Sequence, residues 1–362
     1  MDLPAASAGS PQPSPSTGPV APSPVVAPSP QRAAPRRRSI FGLLLMLVLL
    51  LALGGSLLLN LGLLAGRLGA DGDGNIQEKY FSHARSSSHK VVIIPISGMI
   101  LDGGDGFVKH AIDRVSKDDT VKAIVLRIDS PGGTVSGSNF LYHHLKMLTA
   151  KSKIPMVVSM GSLAASGGYY VAMAAGPTPD SIYAEPTTWT GSIGVIIPHY
   201  NLARLLKEYG VKEDSVASHR LKNMGSLARE MTEEERKIFQ ELVDESFAQF
   251  KQIIRENRPR FQSDPAALDK LATGQVYTAQ QARKLGLIDQ IGFLEAAVDR
   301  AIELAKLDPK DVTVVKYRPE MGLLDLLMGQ ARGSGLDLNQ LLDAASPQAY
   351  YLANHLPPLG KR

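Results

Sequence analysis

The sequence predicts an α/β protein in which a mainly parallel sheet is flanked by helices and preceded by one transmembrane helix. Two observations predict this arrangement. Residues 39–66 are almost entirely apolar and carry no charge, and from residue 90 onward short apolar runs alternate with segments of helical periodicity. Apolar strands separated by helices are typical of a parallel sheet that is covered on both faces.

Residues 1–38 precede the long apolar run and contain few residues that could form a hydrophobic core. Ten of the 24 prolines lie within residues 1–35, among residues that are mostly Ala, Ser and Val. Such a composition buries too little apolar surface to offset the entropy that folding costs. We therefore predict a disordered Pro/Ala/Ser-rich tail.

Residues 39–66 are long enough to cross a bilayer, because about 20 apolar residues suffice. A cleaved signal peptide is the alternative interpretation, but the apolar run is too long for one and its charged flank lies far from residue 1. Three arginines at 36–38 precede the run, whereas Asp71 and Asp73 follow it. The positive-inside rule then keeps the tail in the cytoplasm and places the rest of the chain across the membrane.

The chain beyond the apolar run divides into three segments. Residues 67–89, rich in Gly, Asp and Ser, are interpreted as a linker, and residues 90–307 as one folded domain. Residues 308–362 form an extension in which the helix and strand patterns weaken.

Strand and helix patterns alternate through the folded domain. Thr232 and Thr278 each begin a helix with a capping box, and Gly286 ends the second of these helices. Strands are predicted at 91–96, 121–128, 154–160, 181–184 and 192–197, and further helices at 107–115, 135–148, 166–175, 202–209 and 293–307. In the extension we expect a strand at 312–315 and a short helix at 321–328.

Charge and residue usage exclude several classes of protein. The formal net charge of +4 partly reflects the arginines before the apolar run, so it does not indicate nucleic-acid binding. The absence of cysteine removes thiol catalysis and cysteine-bound zinc. No cluster of metal ligands stands out, so no metal or cofactor is predicted, and a serine is the best available nucleophile.

Ser166 is the serine best placed for that role. It follows the apolar strand at 154–160 within a run of alanines and glycines and opens the next predicted helix. The N–H groups at a helix start can direct a substrate toward such a hydroxyl, and small neighbours let a peptide backbone approach closely.

A second glycine-rich turn, Asp129-Ser-Pro-Gly-Gly133, follows the strand at 121–128. Alone it is as well explained by a strand-to-helix connection, and no Gly-Lys-Thr/Ser of a phosphate loop follows it. The ends of successive parallel strands meet at one edge of the sheet, where ligands bind. We therefore expect the N–H groups of Gly133 and Gly167 to converge on one carbonyl oxygen.

Several separated motifs carry a family resemblance. They are, in chain order, Asp129-Ser-Pro-Gly-Gly133, Met160-Gly-Ser-Leu-Ala-Ala-Ser-Gly-Gly-Tyr-Tyr170, Thr190-Gly-Ser-Ile-Gly-Val195, Lys222-Asn-Met-Gly-Ser-Leu-Ala-Arg-Glu-Met-Thr232 and Gly274-Gln-Val-Tyr-Thr-Ala-Gln-Gln-Ala282. Together they resemble the signal peptide peptidase A (protease IV) family of membrane serine peptidases, in its short single-domain bacterial form, over residues 90–307. This resemblance implies a crotonase/Clp-protease-like fold.

The resemblance also implies a role for each site residue. Ser166 is then the nucleophile, Lys222 the general base, Ser192 the group that orients the lysine amine, and Gly133 and Gly167 the oxyanion hole. A lysine is protonated in water at neutral pH, so this base must be desolvated to act.

Substrate, assembly and location follow from the same resemblance. The family degrades remnant signal peptides and similar hydrophobic peptides, so the pocket should favour small or aliphatic residues. Its short members form homo-oligomeric rings or domes in which serine and lysine meet across a subunit boundary. The expected location is the bacterial cytoplasmic (inner) membrane, single-pass, with the N-terminus inside and the catalytic domain outside the cytoplasm.

Three alternatives remain open at this stage. A Ser-His-Asp triad would draw on His143, His144, His199 or His219 with Asp129, although no Gly-x-Ser-x-Gly elbow is present. An acyl-CoA-processing enzyme of the same fold would keep the oxyanion turn without needing the serine. A non-catalytic scaffold that binds envelope peptides would need neither serine nor lysine.

Overall fold

The structure is a computed structural model that describes residues 40–68, 76–101, 106–319 and 350–352. The chain divides into two compact units, Met1–Arg67 and Leu68–Arg362, and each is described by itself. The predicted tail at 1–38 and the predicted helix at 321–328 lie outside the described residues.

The described part of the first unit consists of helix α1 (Ile40–Leu68). The stretch Gly42–Leu61 is long and apolar enough to cross a membrane. Between Leu43 and Leu61 the large apolar side chains are exposed on every face of the helix. A helix that is apolar all round requires apolar surroundings. The helix predicted from the charge-free run is thus confirmed.

The second unit combines eleven named strands with nine helices among the residues described. The strands are β1 (Ile76–His83), β2 (Lys90–Ser97), β3 (Val121–Ser130), β4 (Gly132–Thr134), β5 (Met156–Ala165), β6 (Ile182–Ala184), β7 (Trp189–Gly191), β8 (Val276–Thr278), β9 (Gln290–Ile291), β10 (Thr313–Pro319) and β11 (Tyr350–Leu352). The helices are α2 (Phe107–Lys117), α3 (Val135–Ser152), α4 (Gly167–Ala172), α5 (Ala203–Glu208), α6 (Glu233–Asn257), α7 (Pro259–Ser263), α8 (Pro265–Leu271), α9 (Ala279–Leu285) and α10 (Leu294–Leu304).

The main sheet has the strand order β1-β10-β2-β3-β5-β6-β9, with β7 beside β5 and β8 beside β7. Every neighbouring pair from β10 to β9 runs parallel, as does the β5–β7 pair. The β1–β10 and β7–β8 pairs are antiparallel. The mainly parallel sheet predicted from the alternating pattern is therefore confirmed.

Both faces of this sheet are covered, as the apolar strands predict. Val92 and Ile94 of β2 belong to one core cluster, which extends to α3, α4 and α6. Val91 and Ile93 belong to a second cluster, in which α10 covers the opposite face. Successive residues of a strand point to opposite faces, so a strand buried on both sides has no polar alternation.

The helix starts and the helix end predicted from the capping boxes and Gly286 are also confirmed. Thr232 and Thr278 both cap their helices with reciprocal capping boxes. Gly286 ends α9 at a φ of 82°, a left-handed conformation that glycine adopts without steric cost.

Three details of the sheet differ from the sequence prediction. The linker assigned to 67–89 contains β1, which pairs with β10 from the far end of the domain. The strand placed at 192–197 is instead β7, which ends at Gly191, because the backbone turns at Ser192 with a φ of 49°. The sequence analysis did not predict the short strands β4 and β11, which pair with each other as a separate sheet.

Candidate active site

Ser166 stands between the end of β5 and the first turn of α4. Its φ of 54° and ψ of −115° are unusual for a residue with a side chain, and such strain concentrates at functional sites. The Ser166 N–H donates to the Gly191 carbonyl at 2.8 Å, and its carbonyl accepts from Tyr170 N at 2.9 Å. Both bonds hold the backbone in this conformation.

The Ser166 hydroxyl itself is unpartnered. The residue is only 1% exposed, and its Oγ has no hydrogen-bond partner among the described residues. Buried hydroxyls are nearly always hydrogen-bonded, so a buried hydroxyl without a partner indicates a special role, such as catalysis. The backbone thus holds in place a serine whose hydroxyl makes no hydrogen bond to the described residues around it.

Two glycine turns converge beside Ser166, as predicted. A Cβ on Gly167 would lie 3.1 Å from Gly133 N, and a Cβ on Gly132 would lie 2.6 Å from Gly167 N. A Cβ on Gly133 would overlap the Ile100 carbonyl. Glycine is therefore required here by close approach of backbone to backbone, and the N–H groups of residues 133 and 167 lie in one small region.

The Ser130 hydroxyl shapes the first of these turns. It donates to the Gly98 carbonyl at 2.6 Å and accepts from Gly132 N at 3.1 Å. Nearby, the Ser162 hydroxyl donates to Asp129 at 2.7 Å. Both serines are therefore occupied in holding turns.

Ser192 lies next to Ser166. In the parallel β5–β7 pair Ala165 stands opposite Gly191, and each serine directly follows one of these residues. Ser192 is 4% exposed, and its N–H donates to the Gln275 carbonyl at 2.7 Å. The structure therefore brings together four of the five predicted site residues.

Lys222 is the exception. It lies in a short 3-10 turn, Arg220–Asn223, where its side chain is exposed. Since the Ser166 hydroxyl has no partner among the described residues, the two side chains are not hydrogen-bonded within one chain. The pairing of Ser166 with Lys222 stays a prediction.

The turn that carries Lys222 is nevertheless firmly held. Arg229 donates to the Asn223 carbonyl at 2.7 Å and forms an ion pair with buried Glu235 at the start of α6. Hydrogen bonds from Arg229 and from the backbone of Thr232 lower the pKa of Glu235 to about 2. The turn is thus fixed in place although its lysine faces solvent.

Sequence comparison decides the family. Residues 149–308 match the profile of peptidase family S49. The chain is 39% identical to the Synechocystis protein slr0021, described as a candidate protease, over 67% of this chain and 84% of that protein. The chain belongs to peptidase family S49.

Other relatives agree with this assignment. The S49 chain is 33% identical to a candidate signal peptide peptidase SppA of Enterococcus faecium, over 64% of this chain and 68% of that protein. The resemblance to the signal peptide peptidase A family is confirmed, and the chain is a serine-type peptidase of the α/β class.

Among solved structures, a mutant of the 1510-N membrane-bound stomatin-specific protease is similar over 64% of this chain and 99% of that one, at 18% identity and a TM-score of 0.40.

No histidine of the described S49 chain completes a triad with Ser166. His199 lies 3.4 Å from the Ser226 carbonyl, and His219 accepts from Leu221 N at 3.2 Å at the start of its own turn. Asp129 is occupied by Ser162 and by Leu163 N. The structure gives the histidine alternative no support.

Two features of the S49 site were missed by sequence reasoning. Ser138 of α3 is fully buried against Gly167, with an unpartnered hydroxyl. Tyr351 of β11 is also buried and lies opposite Gly133. The only signal for β11 was a run of β-favouring residues, Tyr-Tyr-Leu, within an otherwise weakly patterned extension.

Proposed function

We propose that this protein is a membrane-anchored serine endopeptidase with a Ser–Lys dyad. It degrades remnant signal peptides and similar hydrophobic peptides after their release. The observation that carries the proposal is Ser166, a buried and unpartnered hydroxyl held in a strained conformation beside two converging glycine N–H groups. This is the arrangement that acyl transfer needs: a directed nucleophile and donors for the oxyanion.

The reaction then proceeds through an acyl-enzyme. The Ser166 oxygen bonds to the carbonyl carbon of the scissile peptide, and the carbonyl π electrons move onto oxygen, where the N–H groups of Gly133 and Gly167 bind the charge. The Ser166 proton passes to the neutral Lys222 amine and then to the leaving nitrogen as the C–N bond breaks. Water, deprotonated by the same amine, hydrolyses the ester and regenerates the serine.

The exposed position of Lys222 supports a dyad that is completed between subunits. A lysine acts as a base only as the neutral amine, which desolvation favours. Packing a second copy of the chain over the 220–223 turn would remove the lysine from water and carry it to the neighbour's Ser166. Ser192, next to Ser166, would then orient the incoming amine.

Helix α1 supports membrane attachment. Its 20-residue apolar stretch matches the length that a bilayer core requires. The arginines at 36–38 favour a cytoplasmic N-terminus by the positive-inside rule, and this supports a catalytic domain that acts outside the cytoplasm at the bacterial inner membrane.

Serine labelling tests the peptidase assignment. The full chain in detergent should hydrolyse hydrophobic peptides and react with a fluorophosphonate, and Ser166→Ala should abolish both. The control Ser116→Ala removes an exposed hydroxyl on α2 and should leave both unchanged. Undiminished hydrolysis by Ser166→Ala would refute Ser166 as the nucleophile. Absence of both hydrolysis and labelling in the unmodified chain would favour the scaffold or the acyl-CoA enzyme.

Subunit mixing tests the shared dyad. Ser166→Ala and Lys222→Ala chains should each be inactive, but chains produced together should regain part of the activity, because a mixed boundary can contain one intact serine and one intact lysine. Lys237→Ala, an exposed lysine on α6, is the matched control. Full activity of Lys222→Ala would exclude the lysine as base, and failure of the mixture to regain activity would place the dyad within one chain.

A further inference from the structure

A β-bulge interrupts the pairing of β3 with β5 shortly before Ser166. On β3 a single residue, Asp129, lies between the paired residues 128 and 130, whereas on β5 three residues separate their partners. Those three residues are Gly161, Ser162 and Leu163. Bulges are frequent beside active sites, where they redirect the strand that follows. Here the strand that follows leads to Ser166.

The bulge sets the register of two segments of the site. Beyond it, Ser130 pairs with Ala164. Ser166 lies two residues after Ala164, and Gly132 lies two residues after Ser130. Each residue of a strand advances about 3.3 Å, and a slip of one residue turns every side chain to the opposite face. The length of the bulge therefore decides whether Ser166 meets the Gly132–Gly133 turn.

The Asp129 carboxylate holds the bulge. Its Oδ1 accepts from the Ser162 hydroxyl at 2.7 Å and from Leu163 N at 3.2 Å. The half-buried carboxylate thus supplies the acceptor for a main-chain N–H inside the bulge. Hydrogen bonds to a charged acceptor are stronger than those between neutral groups. One side chain of β3 consequently fixes two residues of the β5 bulge.

Gly161 leaves the space that this carboxylate needs. A Cβ on Gly161 would lie 2.9 Å from Asp129 Oδ2 and 3.0 Å from Asp129 Cγ. The same Cβ would lie 3.1 Å from Arg127 Nη2, which is itself held by Glu185 at 2.6 Å. A methyl group at residue 161 would therefore push the carboxylate away from the position in which it holds the bulge.

We propose that Asp129 is a positioning residue for the peptidase reaction: by holding the β5 bulge through its Oδ1 atom, it keeps Ser166 aligned with the Gly132–Gly133 turn. The proposal rests on the proposed peptidase function. Asp129 acts through the backbone of β5 and not on the substrate, so its loss should lower kcat rather than raise KM. The hydrogen bonds carry this role rather than the charge, because both go to one oxygen, which an asparagine also has.

Two substitutions of Asp129 separate the hydrogen bonds from the charge. On the full chain in detergent, Asp129→Ala should lower both kcat for a hydrophobic quenched peptide and the rate of fluorophosphonate labelling by about tenfold to a hundredfold, with KM within about twofold of wild type. Asp129→Asn should stay within about threefold of wild type, because its amide oxygen can accept both bonds. Asp119→Ala, which truncates an exposed aspartate just before β3, is the matched control and should behave as wild type.

Three outcomes of this comparison overturn the proposal. They are an unchanged kcat in Asp129→Ala, a loss in Asp129→Asn as large as that in Asp129→Ala, and a raised KM with an unchanged kcat. Denaturant unfolding, measured in parallel, shows whether each variant is folded under the assay conditions.

Two neighbours of Asp129 give a second measurement that keeps the aspartate in place, so the proposal is tested even if Asp129→Ala does not fold. Ser162→Ala removes one of the two bonds and should lower kcat by about threefold. Gly161→Ala displaces the carboxylate and should lower kcat by about tenfold. Each of these losses should largely disappear when Asp129 is already alanine, because the residues act through one contact. Losses that multiply in full overturn the proposal.

The two levels of the proposal fail in different ways. If the unmodified chain neither hydrolyses the peptide nor reacts with the fluorophosphonate, the peptidase function itself is wrong. If the unmodified chain is active, Ser166→Ala is inactive and Asp129→Ala keeps the full kcat, the peptidase stands and the positioning role of Asp129 is wrong.

Discussion

Ser138 and Gly167 meet beside the Gly132–Gly133 turn, and substituting both tests how tightly these residues are packed. A Cβ on Gly167 would overlap the Ser138 Oγ and would lie 3.1 Å from both Gly132 Cα and Gly133 N. The Ser138 Oγ is buried and has no hydrogen-bond partner in the part of the chain that the structure describes. Gly167→Ala therefore adds a methyl group to a site that has no room for it. Ser138→Ala instead removes a buried hydroxyl that makes no hydrogen bond and therefore does not stabilise the fold.

The contacts set the expected magnitudes. Overpacking of this kind reduces the free energy of unfolding by about 1–3 kcal/mol, since the other neighbours of the new methyl are backbone atoms that move only with the turn. Removal of an unsatisfied buried hydroxyl should leave the free energy of unfolding unchanged or raise it by about 1 kcal/mol. The double variant should recover about 1–2 kcal/mol of the loss, because the methyl then occupies space that the hydroxyl has vacated.

Denaturant unfolding and fluorophosphonate labelling of Ser166 would be measured in parallel on the full chain. Gly167→Ala keeps its N–H, so the double variant should also regain much of the labelling rate. Gly194→Ala is the control for stability, since its methyl meets other atoms only at 3.4 Å or more. The reasoning is refuted if Ser138→Ala destabilises by more than about 1 kcal/mol, or if the double variant loses as much as the two single variants together.

Three further predictions concern stability. Asp289→Ala should cost about 3–5 kcal/mol in denaturant unfolding, because it leaves buried Arg258, bound at 2.7 Å, without its charge partner; a loss under 1 kcal/mol would contradict this. The pKa of Glu235 is lowered by Arg229 from 4.5 to about 2. The contribution of ionised Glu235 to the free energy of unfolding is therefore complete above about pH 4.5 and declines toward pH 2. Glu235→Gln should flatten that part of the stability–pH curve, and an unchanged slope would count against the ion pair. Thr278→Ala should lower the free energy of unfolding by about 1 kcal/mol through loss of the α9 cap, and Thr232→Ala, which removes the other exposed cap, should have a similar effect; no loss of stability in either variant would count against the capping boxes.

Much of the fold could be predicted because its signals are local. The strand at 121–128 and its neighbours are apolar on both faces, as in a sheet that is covered on both sides. The capping boxes at Thr232 and Thr278 each mark the start of a helix by a motif only four residues long. The convergence of Gly133 and Gly167 was also predictable. Parallel strands end at a common edge, so two glycine turns after neighbouring strands must meet there.

The features that depend on distant pairing could not be predicted. Strand β1 is mostly polar and pairs with β10, more than 220 positions later, so that its own sequence pattern is that of a linker. Likewise, Tyr351 enters the site only through its register with Gly133. Such contacts are decided by which edges and pockets the folded domain leaves available, a property that no local window of sequence contains.

The sequence by itself determined the chemistry that is available: a charge-free helix, a serine at a strand-to-helix junction, two glycine turns at one sheet edge, and no cysteine. Only the tertiary structure decided how these groups are disposed. It buries Ser166 with a hydroxyl that has no partner among the described residues, leaves Lys222 exposed, and places Tyr351 opposite Gly133. The reason is physical: residue type and spacing specify what a group can do, whereas burial and distance arise only when remote segments pack together.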